Sequence, residues 1–247
     1  MIKGIYLKQL TSLLKMPVML FQAILFLVIT LLITIFSPSP YEEDCATCIP
    51  AYVCATCEAE ANSGFQLPDI SLAGVFVVMF VGLTLLSSAS GLVQEEKTTQ
   101  NLRFLRMANV NPWVYLLGTM GALFTLSVVV IVLFGLLGRY TGVDLLMFTA
   151  VTSSGALISI VLGIGLALSK HAWASLPLSL LLGFGPMMSE FNDTVANVLQ
   201  FTYTMQLRIA IGEIGGDIAS NFIIIAINAA IAIGIFAFVH RKGKLQS

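Results

Sequence analysis

Residues 107–138 read MANVNPWVYLLGTMGALFTLSVVVIVLFGLLG and contain no Asp, Glu, Lys or Arg. About 20 apolar residues in a helix cross the ~30 Å hydrocarbon core of a bilayer. A charge at the centre of such a span costs roughly 2.5–3.5 kcal/mol, so charges mark where spans end. Working outward, the other long uncharged stretches are 16–41, 70–94, 145–169, 171–189 and 218–240. That makes six expected spans. A seventh stretch, 194–207, is too short to cross and reads as an interfacial or re-entrant helix between spans five and six. Composition agrees. Of 247 residues, 57% are hydrophobic and only 10% charged, and the mean hydropathy is +0.94. A soluble domain carries about 25% charge. An ordinary cytosolic enzyme and a disordered regulator are excluded. With a net charge of −1 there is no basic field for nucleic acid. The fold class expected is an all-α membrane protein with one transmembrane domain over 1–247.

Lys and Arg set the orientation of such a chain. With the N-terminus inside, Lys3, Lys8, Lys15, Lys97, Arg103, Arg106, Lys170, Arg241, Lys242 and Lys244 all fall on the cytoplasmic side. Only Arg139 and Arg208 fall outside. Both termini are therefore expected in the cytoplasm, and the protein in the cell membrane. The run Val18–Phe36 is longer than the 7–15 apolar residues of a cleaved signal, so the first span reads as a retained anchor.

Residues 1–16 read as an amphipathic helix. Ile2, Ile5, Tyr6, Leu7, Leu10, Leu13 and Leu14 share a broad arc, with Lys8, Thr11, Ser12 and Lys15 opposite. Lys3 and Gln9 break the pattern. Taken alone, the stretch reads as an interfacial anchor. Within the spans, small residues recur at four-residue spacing as Gly155, Ser159 and Gly163, and again as Ala226, Ala230 and Gly234. Both read as close-packing stripes. Pro177 and Gly183-Phe-Gly-Pro186 point to a kinked, shortened fifth span. Asn228 is a polar side chain in the middle of span six, expected to bond across helices.

The outer loop, 37–69, holds all four cysteines, as CATC at 45–48 and again at 54–57. Two C-x-x-C pairs suit zinc, redox chemistry or structural disulfides. An extracytoplasmic location favours disulfides of Cys45, Cys48, Cys54 and Cys57. Three connectivities are open, including the nested pairing Cys45–Cys57 with Cys48–Cys54. No catalytic or metal site is expected. There is no phosphate-binding Gly-rich loop, since Gly243-Lys244 lacks the preceding glycine. No acid or base sits mid-span, which argues against an ion-coupled carrier. Thr152-Ser-Ser-Gly155 has no histidine in evident reach, so an intramembrane protease is disfavoured.

The inner loop 94–111 is QEEKTTQNLRFLRMANVN, the most polar cytoplasmic segment. Its Glu95-Glu96-Lys97-Thr98-Thr99, with Leu102, Asn111-Pro112 and Leu117-Gly118, resembles a motif of ABC transporter permeases of the type-2 superfamily. Thr98 stands where that family usually has Gly. Six spans, cytoplasmic termini, an N-terminal amphipathic helix and a long outer connection, 190–217, are similar to the same family. The resemblance implies a transport subunit and not an enzyme. Residues 1–16 become a connecting helix, and the region 194–211 the outer helices that cap the path. Loop 94–111 becomes a coupling element for a separate ATPase, present in two copies, which binds the ATP and Mg. Glu95 and Glu96 would make polar contacts near the membrane boundary. Leu102, Phe104 and Leu105 would pack on the ATPase, with Arg103 and Arg106 at the rim. A second permease chain, identical or homologous, would complete the path, surrounded by membrane lipid. The chain itself would carry no cofactor and bind no nucleic acid. The implied activity is export of an amphipathic or hydrophobic cargo. The competing reading is a membrane thiol-disulfide oxidoreductase that uses the two C-x-x-C pairs.

Overall fold

A computed structural model describes residues 2–15, 17–36, 72–99, 112–169, 172–189, 193–212, 214 and 219–245. Every element among them is helical. In chain order they are α1 (Ile2–Lys15), α2 (Pro17–Phe36), α3 (Leu72–Met79), a π-helical turn (Phe80–Leu85) and α4 (Leu86–Thr98). Then come α5 (Pro112–Leu137), α6 (Gly142–Leu168), a 3-10 turn (Ala172–Ala174), α7 (Ser175–Met188), α8 (Asp193–Leu199), α9 (Tyr203–Gly212) and α10 (Ala219–Leu245). Three helices are long and apolar enough to cross a membrane: Gly74–Thr98, Leu117–Leu137 and Gly142–Leu168. The other three expected spans hold shorter apolar helices, Phe21–Leu32, Ala172–Met188 and Ile223–Ala237. The cysteine loop and residues 100–111 lie outside the described residues.

Helix α6 is the hub, packed most extensively on α4, α5 and α10. Its direction relative to α4 follows from the contacts. Gly155 meets Val81, Gly163 meets Leu86 and Ala89, and Ala167 meets Lys97. Both numbers rise together, so the two helices run parallel. Helix α5 joins α6 through a short turn and runs antiparallel, with Gly135 against Leu145 and Phe148. All of Phe80, Phe134, Phe148, Ile160 and Leu207 are fully or almost fully buried in the shared core. Outward faces are equally apolar. Phe21, Ile24, Val129, Leu146, Ile227 and Ile231 are all exposed. In water such a belt would aggregate; in lipid it is the expected surface.

Close packing depends on missing side chains. A Cβ at Gly82 would lie 2.6 Å from the Leu182 carbonyl oxygen, and one at Gly183 only 2.8 Å from the Leu83 Cβ. The π turn and α7 thus meet backbone to backbone. Ser87 Oγ donates to the Leu83 carbonyl oxygen at 2.5 Å, supplying a partner within the loosened turn. The two small-residue stripes behave differently. Gly155, Ser159 and Gly163 are all buried against neighbouring helices, whereas Ala226, Ala230 and Gly234 face outward. Pro177 lies in the first turn of α7, not its middle, where its missing N–H costs no helical bond. Pro177 therefore gives no cause for the expected kink, whereas Pro186, the other proline of that expectation, does lie inside the helix, which is short, as its sequence indicated.

The apolar run 194–207 forms two short helices, α8 and α9, broken at Gln200–Thr202. Helix α9 is wedged among α3, α6, α7 and α10. Tyr203 accounts for part of this placement. Its hydroxyl pairs with Ser159 Oγ at 2.7 Å inside the bundle. Asn228 Nδ2 donates to the Phe201 carbonyl oxygen at 2.9 Å, across to the break between the two helices. It also donates to Ile224 O one turn earlier, at 2.9 Å.

Candidate functional site

The end of α4 is where the sequence concentrates charge. Residues on adjacent positions of a helix point about 100° apart. Glu95 and Glu96 therefore separate: Glu95 is exposed, while Glu96 is 8% exposed. Gln9 of α1 donates from Nε2 to Glu96 Oε1 at 2.6 Å. Gln9 is itself buried. The other carboxyl oxygen, Oε2, is buried with no hydrogen-bond partner among the described residues. Lys8 attracts this carboxylate through space and Glu95 repels it.

Helix α1 reaches this position because it lies along α5. Leu13 is fully buried, and the Tyr6 hydroxyl donates to Thr125 Oγ1 at 3.2 Å. The Tyr6 ring covers Gly121, one turn before Thr125. Leu7, which belongs to the same apolar arc, is instead exposed. The buried face thus runs through Tyr6, Gln9, Leu10 and Leu13. Gln9, which broke the amphipathic pattern, sits inside that face because it has a carboxylate to bond. This was the signal that the sequence carried and that hydrophobic periodicity alone discounts.

The last turn of α4 is closed by its threonines. Thr98 Oγ1 and Thr99 Oγ1 both donate to the Glu95 carbonyl oxygen, at 2.8 and 2.9 Å. The same carbonyl accepts the Thr99 backbone N–H at 2.9 Å, so the hydroxyls reinforce a turn that the main chain already closes. Lys97 Nζ donates to the Ala167 carbonyl oxygen near the end of α6. A cation at a helix C-terminus also opposes the negative end of its dipole. So the EEKTT segment does three things: it bonds α1 through Glu96, bonds α6 through Lys97, and caps itself through Thr98 and Thr99. Lys97 was not among the expected site residues. Leu102, Arg103, Phe104, Leu105 and Arg106 lie outside the described residues, as do Cys45, Cys48, Cys54 and Cys57.

A second buried charge lies at the opposite end of the bundle. Arg208 of α9 is 8% exposed. Its Nη1 donates to the Pro186 carbonyl oxygen at 2.5 Å and to Ser189 Oγ at 3.2 Å, closing the end of α7. Ser189 Oγ in turn donates to Pro186 O at 2.7 Å. Arg208 is the single charge in the run 194–212. A lone arginine in an apolar segment is the available sequence signal that it is buried and paired.

No group of three or more His, Cys, Asp or Glu that could hold a metal occurs among the described residues. No family model, curated protein or solved structure matches this chain.

Proposed function

We propose that this chain is the membrane-spanning permease subunit of an ATP-driven exporter resembling the type-2 ABC superfamily. In this reading it crosses the cell membrane six times with both termini in the cytoplasm. It pairs with a second permease chain, and two copies of a separate ATPase bind ATP and Mg. The cargo is amphipathic or hydrophobic.

The observation that carries the reading is the Gln9–Glu96 bond. It ties the N-terminal helix to the helix end that leads into 100–111, the segment expected to dock the ATPase. Displacement of that segment pulls on the last turn of α4. Through Glu96 the pull reaches α1, and through Lys97 it reaches α6. A polar tie in an apolar bundle suits a joint that transmits force, because its bond is strong where water is scarce. The exposed apolar belts and the three long helices support a membrane location.

The test is co-purification. The tagged chain, taken from its native membrane, should bring an ATPase subunit with it. Leu102→Ala and Phe104→Ala should each weaken that assembly about 5- to 150-fold, the equivalent of roughly 1–3 kcal/mol at an interface anchor. Glu95→Lys alters an exposed charge and should leave α1 seated while lowering stimulated ATP hydrolysis. If no ATPase accompanies the chain, or if all three variants bind and stimulate it like the parent, the reading is wrong.

A further inference from the structure

Six buried side-chain oxygens have no hydrogen-bond partner among the described residues, and three of them belong to Glu96, Tyr115 and Thr119. Each of these residues is less than one tenth exposed. Tyr115 and Thr119 are four positions apart on α5 and so share a face. The turn of α4 that carries Glu96 stands level with them. Because α4 runs parallel to α6 and α5 antiparallel to it, α4 and α5 are antiparallel to each other. The rings of Phe80 and Phe134 lie 6.0 Å apart and set their register. Sixteen residues onward from Phe80 is Glu96, and sixteen back from Phe134 is Gly118. A route through α6 agrees. A Cβ at Gly135 would lie 3.0 Å from the Phe148 ring, and Lys97 bonds the Ala167 carbonyl. Nineteen residues onward from Phe148 is Ala167, and nineteen back from Gly135 is position 116. Glu96 and Tyr115 thus flank segment 100–111, one in the last turn of α4 and one in the first turn of α5.

A buried polar atom without a partner forfeits its hydration, and that loss exceeds the small net gain of an ordinary hydrogen bond. Gln9 satisfies one oxygen of Glu96 and leaves the other bare, with the Tyr115 hydroxyl bare at the same level. A carboxylate oxygen accepts and a phenol donates, so the two are complementary. Pairing them needs the two helix ends to shift. The Gln9–Glu96 bond spans 2.6 Å, and a displacement of about 1 Å carries it beyond bonding distance. Either bond is charge-assisted at the same carboxylate. The two arrangements are therefore close enough in energy for a movement of 100–111 to choose between them. Thr119 cannot take this part, because its hydroxyl sits on the β-carbon, close to its own helix. Tyr115 carries its hydroxyl at the far end of a ring.

We propose that Tyr115 is the alternative partner of Glu96: when the two stems of 100–111 draw together, the carboxylate leaves Gln9 for the Tyr115 hydroxyl and α1 is released. This exchange of partners does not require the chain to be an exporter. The test follows hydrogen exchange of the full-length protein in phosphatidylcholine vesicles. Tyr115→Phe removes the competing donor and should slow exchange in α1 by about fivefold, the equivalent of one ordinary hydrogen bond. Helix α9 should keep its parent rate. The thermal midpoint of Tyr115→Phe should not fall, because the hydroxyl it deletes is unsatisfied in the arrangement seen. In a Gln9→Leu background the same substitution should lower the midpoint, because Tyr115 is then the partner left to Glu96. Tyr115→Met also lacks the hydroxyl and should act alike, which keeps the test decisive if the phenylalanine variant fails to fold. Thr119→Val should leave α1 exchange at the parent rate. Exchange in α1 that is unchanged or faster in the Tyr115 variants would overturn the proposal, since the hydroxyl would then be idle or would clamp Glu96 alongside Gln9. Equal slowing by Thr119→Val, or an equal change of midpoint in both backgrounds, would overturn it too.

Discussion

Among the described residues, each end of this bundle buries one charged side chain, and the two are held differently. At one end, the partners of Arg208 include the Pro186 carbonyl and Ser189, both at the end of α7. A carbonyl cannot titrate, rotate away or leave without unwinding the helix that carries it. At the other end, Glu96 is held by one side-chain amide from α1, and its second oxygen has no partner among the described residues. Main-chain anchorage makes a fixed joint. Side-chain anchorage with an acceptor left over makes a joint that can part and re-form. The difference teaches where movement is cheap: at the Glu96 end, between α1 and the rest.

Three substitutions probe that difference. Arg208→Met should have the largest effect. It removes the buried guanidinium's bonds to the Pro186 carbonyl and to Ser189, leaving that carbonyl only the Ser189 hydroxyl, and should cost about 3 kcal/mol of stability. Thermal unfolding in detergent would show it as a lowered midpoint, and an unchanged midpoint would dissolve the contrast between the ends. Gln9→Leu comes next. It strips Glu96 of its bond and should cost about 1–3 kcal/mol. Here the loss should be local. Hydrogen exchange should quicken in α1 while α9 keeps its protection. Equal quickening in both would show that the Glu96 end is not separable. Lys97→Met should be the mildest, about 0.3–1 kcal/mol, because its cation works at a helix terminus and is itself exposed. A loss as large as that of Arg208→Met would place the main fixed point at the wrong end.

Much of the helix layout could be read from charge spacing, because the cost of burying a charge is a property of each residue alone. Helices α5 and α6 fall where the uncharged runs lie. The wedge of α9 could not be read this way. Thr204, Gln206 and Arg208 count against burial on any hydropathy scale, yet all three are buried. Gln206 Nε2 bonds the Gln200 carbonyl and Arg208 bonds α7, partners that the linear sequence does not name, while Gln206 Oε1 has no hydrogen-bond partner among the described residues. The small-residue stripes make the same point. Gly155-Ser159-Gly163 and Ala226-Ala230-Gly234 have identical spacing, but what faces each is a tertiary matter. At the candidate site, the position of Glu96 at a helix end was legible and its partner was not. Gln9 is 87 positions away in the chain. Its one trace is that a glutamine interrupts an otherwise apolar arc.

The π turn at Phe80–Leu85 has a consequence for that partnership. Winding one extra residue into a helix shifts the azimuth of everything beyond it by about 100°, because each residue advances by that angle. Leu72–Met79 and Leu86–Thr98 are thus two rods on nearly one axis, clocked against each other. The upper rod packs on α9, α7, α5 and α2, the lower one chiefly on α6. Were the turn to rewind as plain α-helix, the lower rod would rotate like a key. Glu96 would swing away from Gln9, and Lys97 from Ala167. The phase of this one helix, set ten or more residues earlier in the chain, decides whether the ties at its far end can exist.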